Sequence, residues 1–329
     1  MQRSHRRSML VGIRAAALAF AVTATAVAQN PDSVARAAEC PRCASFNVPH
    51  VPVKIYGNTY WVGTAAVGSI LITSDRGHIL IDGAVPESAP QILSNIRALG
   101  FRPEDVKLIL NSHTHYDHAG GIEALRRETG AEVAASDAGA RDLERGGPGP
   151  SDPQLGVLVR FPPVLAVRRI TDGEVLHVGS LSVKAHYTAG HTPGGTTWTW
   201  RSCEGDICRD IVYADSQTPA SDDTFLFTQP TRYPSVVSDF QHGFAVLDGL
   251  SCDILITPHP AASGMWERIA ARDRGDPHVL VARPIGHRLS RDAGSRLFST
   301  MRSTSRTKSS PIRFIPVHCT QANAPSSNK

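Results

Sequence analysis

The chain has 329 residues, 41% of them apolar, which is enough to bury a substantial core in one large domain or in two halves. The formal net charge of +4 conceals an asymmetry, because residues 271–329 contain 11 Lys and Arg against 3 Asp and Glu. A basic segment can bind nucleic acid, but only Phe298 and Phe314 supply aromatic rings in this one. Composition therefore argues against nucleic acid as a partner.

The amino terminus has the three parts of a secretory signal. Three arginines lie within residues 3–7, residues 15–26 are mostly apolar, and residues 26–28 (Ala-Val-Ala) match a small-residue cleavage site. A membrane anchor is the alternative, but Arg14 interrupts the apolar segment, which is shorter than the roughly 20 residues that a span needs. We expect residues 1–28 to be cleaved and the mature chain to be periplasmic or secreted, with no stable membrane anchor.

Beyond an N-terminal extension at residues 29–52, short apolar runs alternate with turn signals. Residues 68–73 and 78–82 flank the turn-forming triplet at 75–77 and therefore predict a β-hairpin. A helix should follow, since four apolar residues fall on one helical face that ends at Gly100. These four residues are Ile92, Leu93, Ile96 and Leu99.

The rest of the chain repeats the order of strand and helix. A strand at 106–110 precedes a histidine-rich loop and a helical stretch at 121–127. Further strands are predicted within 164–200, at 211–214 and at 253–256. A helix precedes the last strand, with Val236, Val237, Phe240, Phe244 and Leu247 facing inward. Two strand-then-helix halves predict an α/β fold in which two β-sheets pack face to face with helices outside, an αββα sandwich.

The most informative motif directly follows an apolar strand. Residues 113–118 read His-Thr-His-Tyr-Asp-His, three imidazoles and one carboxylate within six residues. Imidazole and carboxylate are ligands that Zn²⁺ accepts. Alternate residues of an extended segment share one face, so His113 and His115 can reach one metal together. Asp117 and His118 lie past a bend and can serve a second metal.

A polar loop that is merely rich in histidine is the alternative, and two later histidines disfavour it. His191 lies in Gly-His-Thr-Pro-Gly-Gly after the apolar run 181–187, and His259 lies in Thr-Pro-His-Pro. Each stands on a loop just past a predicted strand, where α/β folds gather functional groups. One three-ligand set is then His113, His115 and His191, and a second is Asp117, His118 and His259. Three protein ligands with an open position is the pattern of a catalytic zinc.

In this order the motifs resemble those of the metallo-β-lactamase superfamily, over about residues 53–269. The segments at 53–59, 213–218 and 256–264 are most similar to the true metallo-β-lactamases of subclass B3. The resemblance implies an enzyme that hydrolyses the β-lactam amide bond with a zinc-bound hydroxide and confers antibiotic resistance. It also implies two zinc ions per chain, a small-molecule β-lactam as the partner, a monomer, and a metallo-β-lactamase domain at 53–270.

The resemblance further implies roles for individual residues. The first ligand set would hold a zinc ion that polarises the scissile carbonyl, and the second set would hold one that stabilises the departing nitrogen. Asp117 would also orient the bridging hydroxide, which makes it the catalytic residue of this hypothesis. Ser216, Thr218 and Gln154 would contact the substrate carboxylate. No Gly-x-Ser-x-Gly pattern occurs, so a serine acyl-enzyme is disfavoured.

Two other functions compete with this one. A hydrolase of the same fold, such as a glyoxalase II-like thioesterase or a lactonase, shares the metal motif but uses a metal-bridging aspartate from a later strand end. Asp215 lies near that position, whereas the export signal and residues 216–218 favour the lactamase. The second competitor is an exported metal-binding protein without activity, and a missing ligand would favour it. No ligand is missing.

Six cysteines suit an exported protein. Cys203 and Cys208 bracket four residues that can form a hairpin turn, so we expect a disulfide between them. Cys40 and Cys43 would supply either one disulfide partner or a strained local bridge.

The basic, Ser- and Arg-rich tail at 271–329 departs from the resemblance. Similar subclass B3 enzymes end with an amphipathic helix whose cysteine pairs with one just before the final metal-bearing strand, here Cys252. After about Arg272 this chain shows no sustained helical apolar period. Such a segment buries too little apolar surface to offset its ordering entropy. We expect the tail to be largely disordered or loosely docked, with Cys252 unpaired or joined only to Cys319.

Overall fold

The computed structural model describes residues 40, 42–276 and 279–280. The predicted signal at 1–28, the first part of the extension and the tail beyond 280 lie outside the described residues. Within the described ranges, no helix combines the length and the apolarity that crossing a bilayer requires.

The first sheet contains seven strands from the described part of the chain. Its first half is an antiparallel meander, and from the fourth strand onward its neighbours are parallel. Parallel pairing places the carboxyl ends of the fourth and fifth strands at one edge of the sheet, where their following loops meet. In spatial order the strands are β1 (Val53–Tyr56), β2 (Thr59–Trp61), β3 (Ile70–Ile72), β4 (His78–Ile81), β5 (Val106–Leu110), β6 (Glu132–Ser136) and β7 (Arg168–Ile170).

The second sheet contains five strands within the described ranges. Its first two spatial neighbours are parallel, and the remaining pairs are antiparallel. In spatial order the strands are β12 (Ile254–Ile256), β11 (Ile207–Tyr213), β10 (Thr196–Glu204), β9 (Leu181–Tyr187) and β8 (Val175–Val178).

Seven α-helices accompany the sheets in the described part of the chain. They are α1 (Cys43–Phe46), α2 (Ala89–Ala98), α3 (Tyr116–Ala119), α4 (Ile122–Thr129), α5 (Asp137–Arg145), α6 (Val236–Gly249) and α7 (Met265–Asp273). Single turns of 3-10 helix lie at Pro86–Ser88, Pro103–Asp105 and Pro260–Ala262. The predicted helix that ends at Gly100 is α2, and the predicted helix before the last strand is α6.

Strand alternation creates the layers of the fold. In β4, Ile79 and Ile81 face the core between the two sheets, whereas Leu80 faces the helices outside the first sheet. The core between the sheets also contains Trp198 and Trp200 of β10, which are buried. Helix α6 covers the outer face of the second sheet together with aromatic side chains of the preceding loop. Two packed sheets with helices on both outer faces confirm the predicted αββα sandwich.

The described part of the N-terminal extension packs against the domain. The threonine hydroxyl of Thr64 donates to the carbonyl of Phe46 at 2.7 Å, and Asn95 Nδ2 donates to the carbonyl of His50 at 3.0 Å. The ring of His50 stacks on Trp266 with centroids 4.2 Å apart. These contacts tie residues 43–50 to the loop after β2, to α2 and to α7.

The disulfide bonds of the described residues test the cysteine pairings expected from the sequence. Cys203 and Cys208 are paired across the β10–β11 hairpin, which confirms that prediction. Cys40 and Cys43 form a local bridge at the start of α1, one of the two alternatives left open by the sequence. Cys252 is also disulfide-bonded, so the expectation that it is unpaired is wrong.

The packed domain continues past the predicted boundary at residue 270. Helix α7 extends to Asp273, and Leu280 is buried in the core between the sheets. The partly buried guanidinium of Arg268 donates to the carbonyls of Leu255, Val279 and Leu280. Of the tail, residues 277–278 and the part after 280 lie outside the described residues.

Candidate metal centre

The histidine-rich loop begins where β5 ends at one edge of the first sheet. The chain remains extended through His115, whose φ and ψ are −81° and 153°, and then turns into the short helix α3. Asp117 and His118 lie in the first turn of that helix. The change from extended to helical backbone after His115 therefore separates the ligands of the motif into the two predicted pairs.

His191 joins the first predicted pair. One ligand atom from each of His113, His115 and His191 lies within 4.8 Å of the other two, and all three side chains are buried. His113 Nε2 has no hydrogen-bond partner among the described residues although it is buried. A metal ion would complete this arrangement, in which a buried ring nitrogen without a hydrogen-bond partner lies close to the ligand atoms of two other histidines.

His259 joins the second pair in the same way. One ligand atom from each of Asp117, His118 and His259 lies within 4.8 Å of the others. Asp117 Oδ2 is 3.4 Å from the Nε2 atoms of both histidines, and those two nitrogens are 3.2 Å apart. The two sets adjoin, since the ring centroids of His113 and His118 are 4.2 Å apart. Both predicted three-residue sets are thus assembled side by side.

The opposite ring nitrogens of the first set are held by buried acceptors. His113 Nδ1 donates to Asp215 Oδ1 at 2.7 Å, and His191 Nδ1 donates to the Thr218 carbonyl at 2.7 Å. His115 Nε2 donates to Asp152 Oδ2 at 3.1 Å. Each bond fixes the tautomer, so the remaining nitrogen of each ring presents a lone pair to the site.

The electrostatics of the first set favour neutral imidazoles at two positions. Burial, together with the neighbouring histidines, lowers the pKa of His113 well below its ordinary range. Burial and His115 lower the pKa of His191 to about 3. Burial also acts to lower the pKa of His115, but the adjacent Asp152 carboxylate outweighs it and the pKa is raised.

Asp117 is an ionised carboxylate in this cluster. Burial acts to raise its pKa, but His118 and His259 outweigh burial and hold the pKa of Asp117 well below its ordinary value. One anion and five imidazoles, all buried except the partly buried His259, suit a borderline divalent cation such as Zn²⁺. The residues present therefore fit the metal ions that the sequence predicts.

A buried carboxylate that the sequence reasoning missed organises the start of the metal loop. Asp82 accepts hydrogen bonds from the Ser112 amide at 2.7 Å, the Ser112 hydroxyl at 2.6 Å and Asn111 Nδ2 at 3.0 Å. The Tyr213 hydroxyl donates to it at 2.8 Å, and His118 Nδ1 lies 4.0 Å away. Asp82 has a φ of 63°, a conformation uncommon for a residue with a side chain. Its position directly after an apolar strand was the available sequence signal.

The three residues predicted to contact the substrate are next to candidate metal ligands or to the residues that orient them. The backbone of Thr218 accepts the hydrogen bond from His191, and Ser216 follows the Asp215 that holds His113. Gln154 is buried, and its Nε2 has no hydrogen-bond partner among the described residues. All three therefore lie on the loops whose acceptors hold the first ligand set.

The position of Asp215 bears on the competing hydrolases. A carboxylate that bridges two metals has to lie on the side of His113 where the ligand sets converge. Asp215 instead bonds the Nδ1 side, whereas the unpartnered Nε2 faces the converging ligands. In this structure Asp215 orients a ligand, and it belongs to neither ligand set.

Comparisons with known proteins agree with this geometry. Residues 63–259 match the model of the metallo-beta-lactamase superfamily. The chain is similar to the Rm3 metallo-beta-lactamase, with 46% identity and a TM-score of 0.77 over 82% of this chain and 99% of that chain. It is also similar to MEM-A1, a subclass B3 metallo-beta-lactamase from a soil metagenome library, with 42% identity and a TM-score of 0.73 over 79% of this chain and 97% of that chain.

The curated relatives match over a shorter span. A hydroxyacylglutathione hydrolase from Rhodobacter capsulatus is 32% identical over 114 residues, which are 35% of this chain and 35% of that protein. A probable metallo-hydrolase from Burkholderia pseudomallei is 32% identical over 117 residues and 36% of its own length. The chain thus spans only about a third of these relatives, whereas the family model and the solved structures span most of the domain. The chain belongs to the metallo-beta-lactamase superfamily.

Proposed function

We propose that this protein is a zinc β-lactamase that hydrolyses the amide bond of β-lactam antibiotics. The observation that carries the proposal is the pair of complete three-ligand sets in a chain that resembles the Rm3 metallo-beta-lactamase along 99% of that enzyme. We further propose two zinc ions per chain, cleavage of a signal at 1–28, and a monomeric enzyme that confers resistance from the periplasm or outside the cell.

The protein's own residues prepare the site for this reaction. His113, His115 and His191 would hold the first zinc ion, and Asp117, His118 and His259 would hold the second. When bound, zinc supplies Lewis-acid polarisation and makes water a nucleophile at neutral pH. The buried acceptors behind the first set keep the ring nitrogens oriented before substrate arrives, so little reorganisation is needed during reaction.

Asp117 and the neighbouring loops would handle the reactants. Asp117 stays ionised beside two histidines and can accept a hydrogen bond that orients the attacking water. Gln154 Nε2 has no hydrogen-bond partner among the described residues, so it can donate to the carboxylate of a β-lactam. Ser216 and Thr218 would contact the same carboxylate from the loop after β11.

A thioesterase or lactonase is the second candidate, because hydroxyacylglutathione hydrolases and N-acyl homoserine lactonases are among the curated relatives. The placement of Asp215 behind His113 disfavours it. Rates on nitrocefin, a carbapenem, a hydroxyacylglutathione thioester and an acyl lactone, each with and without chelator, decide between them. We expect β-lactam hydrolysis that chelation abolishes and zinc restores. Zinc-loaded protein that cleaves the thioester or the lactone but neither β-lactam would contradict the proposal.

A further inference from the structure

A second polar network lies beside the metal centre, on the side of the turn at residues 152–154. Its centre is Arg232, on the loop before α6, whose side chain is 27% exposed. Arg232 Nη2 donates to Asp222 Oδ2 at 2.8 Å, and Nη1 donates to the Thr224 hydroxyl at 2.9 Å. The guanidinium also lies over the ring of Phe225, with Cζ 5.3 Å from the ring centroid. Ion pair, hydrogen bond and ring contact together fix the orientation of the guanidinium fork.

The same fork reaches the turn that carries Asp152. Arg232 Nη2 donates to the carbonyls of Pro153 at 3.2 Å and Asp152 at 3.4 Å. Asp222 reinforces this contact twice: its backbone amide donates to the Pro153 carbonyl at 2.9 Å, and its Oδ2 accepts from the Gly156 amide at 2.8 Å. Arg232 and Asp222 together therefore hold the 152–154 turn and the chain just after it.

The 152–154 turn also orients His115, a candidate metal ligand. Asp152 is fully buried, its Oδ1 accepts from the Gln154 amide at 2.7 Å, and its Oδ2 accepts from His115 Nε2 at 3.1 Å. A shift of the Asp152 backbone would move the carboxylate that sets the tautomer of His115. No acceptor other than Asp152 bonds His115 Nε2 among the described residues.

We propose that Arg232, paired with Asp222, is a positioning residue for the first metal site. It acts through the 152–154 turn. This turn orients the Asp152 carboxylate toward His115 and fixes the backbone from which the Gln154 side chain extends. The inference rests on the proposed role of His113, His115 and His191 as zinc ligands, but it does not depend on which substrate the enzyme hydrolyses. Arg232 touches neither ligand set itself.

The test measures zinc affinity of the purified full chain by competition with a chromophoric chelator. Arg232→Ala should weaken one of the two zinc ions about tenfold, the lower end of the range for losing an outer partner of a ligand. Arg232→Lys keeps the charge without the fork and should recover only part of the loss. Arg169→Ala is the matched control, because Arg169 pairs with Glu144 on the surface and should leave both affinities unchanged.

A double-mutant cycle separates positioning from general destabilisation. Asp152→Ala removes the link to His115, so adding Arg232→Ala to it should weaken zinc by less than about twofold more. Unchanged zinc affinity in Arg232→Ala, or losses that simply multiply in the double variant, would overturn the inference. Asp222→Asn tests the same network with a smaller change if Arg232→Ala fails to fold, and wild-type zinc affinity in that variant would equally overturn it. Because no substrate enters this assay, absence of β-lactam hydrolysis in a zinc-loaded protein would refute only the proposed function.

Discussion

Replacing Asp215 by asparagine tests whether a buried carboxylate keeps His113 ready to bind metal. The side chains of Asp215 and His113 are 0% and 1% exposed, and the bond between them is 2.7 Å long. Burial raises the pKa of the Asp215 carboxyl well above its ordinary value, so its ionised form depends on the positive charge of a bound zinc ion. Asparagine preserves the shape, but it converts the charge-assisted hydrogen bond of that ionised form into a neutral one of about half the strength. It also places an amide NH₂ where Asp215 Oδ2 has no hydrogen-bond partner among the described residues.

The two effects act on different equilibria. Loss of charge assistance costs about 1 kcal/mol of zinc affinity, whereas an unsatisfied buried donor is present with and without zinc and lowers the free energy of unfolding by about 1–3 kcal/mol. Since 1.4 kcal/mol corresponds to a factor of ten, the first effect alone weakens zinc at one site by roughly fivefold. Losing an outer partner of a metal ligand costs roughly 10–100-fold in metal affinity, so a loss of about five- to tenfold is expected here.

The assay is chelator competition, followed by kcat/KM on nitrocefin at saturating zinc. Asp210→Asn is the matched control, because Asp210 lies on β11, the strand just before Asp215, and accepts a hydrogen bond from Ser251 at the surface. We expect the control to bind zinc like the parent protein. If Asp215→Asn also kept the parent zinc affinity, the hydrogen bond to His113 would not orient this ligand, and our account of the first site would be wrong.

Three further predictions concern the ligands, the loop and the hairpin. Asp117→Asn should reduce kcat/KM on nitrocefin far more than Ser216→Ala. The first change removes an anionic ligand, whereas the second removes one hydrogen bond worth about 0.5–1.5 kcal/mol. Comparable losses from the two changes would contradict this ranking. Gly190→Ala should lower the free energy of unfolding by roughly 2–4 kcal/mol in chemical denaturation, since Gly190 has a φ of 140° and its Cβ would lie 2.6 Å from the Phe240 ring. Gly173→Ala, whose Cβ would meet no described atom within 4 Å, should cost only about 1 kcal/mol, and equal losses would exclude the steric argument. Replacing both Cys203 and Cys208 by serine should cost about 2 kcal/mol of stability for so short a loop and leave the zinc content unchanged, whereas loss of zinc would tie the hairpin to the site.

Local sequence patterns were sufficient to predict which candidate ligands the fold brings together in each of the two sets. The motif at 113–118 contains its own change from extended to helical backbone, so the division into two pairs could be predicted from spacing alone. His191 and His259 were found because each follows an apolar strand on a loop rich in Gly or Pro. The alternation of apolar residues likewise predicted the two sheets and the helices outside them.

The residues that orient the ligands could not be predicted in this way. Asp152 and His115 are 37 positions apart, and Asp215 and His113 are 102 positions apart. A single aspartate on a loop carries no local pattern that distinguishes a buried hydrogen-bond acceptor from a solvated side chain. Only the folded arrangement of the loops shows that Asp215 bonds Nδ1 of His113 and lies away from the converging ligands. The packing of Phe46 beside His259, with ring centroids 5.6 Å apart, was equally invisible in a segment that reads as a linker.

Zinc content measured together with hydrolysis tests the central claim of two complete metal sites most directly. The purified mature protein should contain two zinc ions per chain by elemental analysis, chelation should abolish nitrocefin hydrolysis, and adding zinc should restore it. A fully active enzyme that holds at most one tightly bound metal ion would contradict the two-site account.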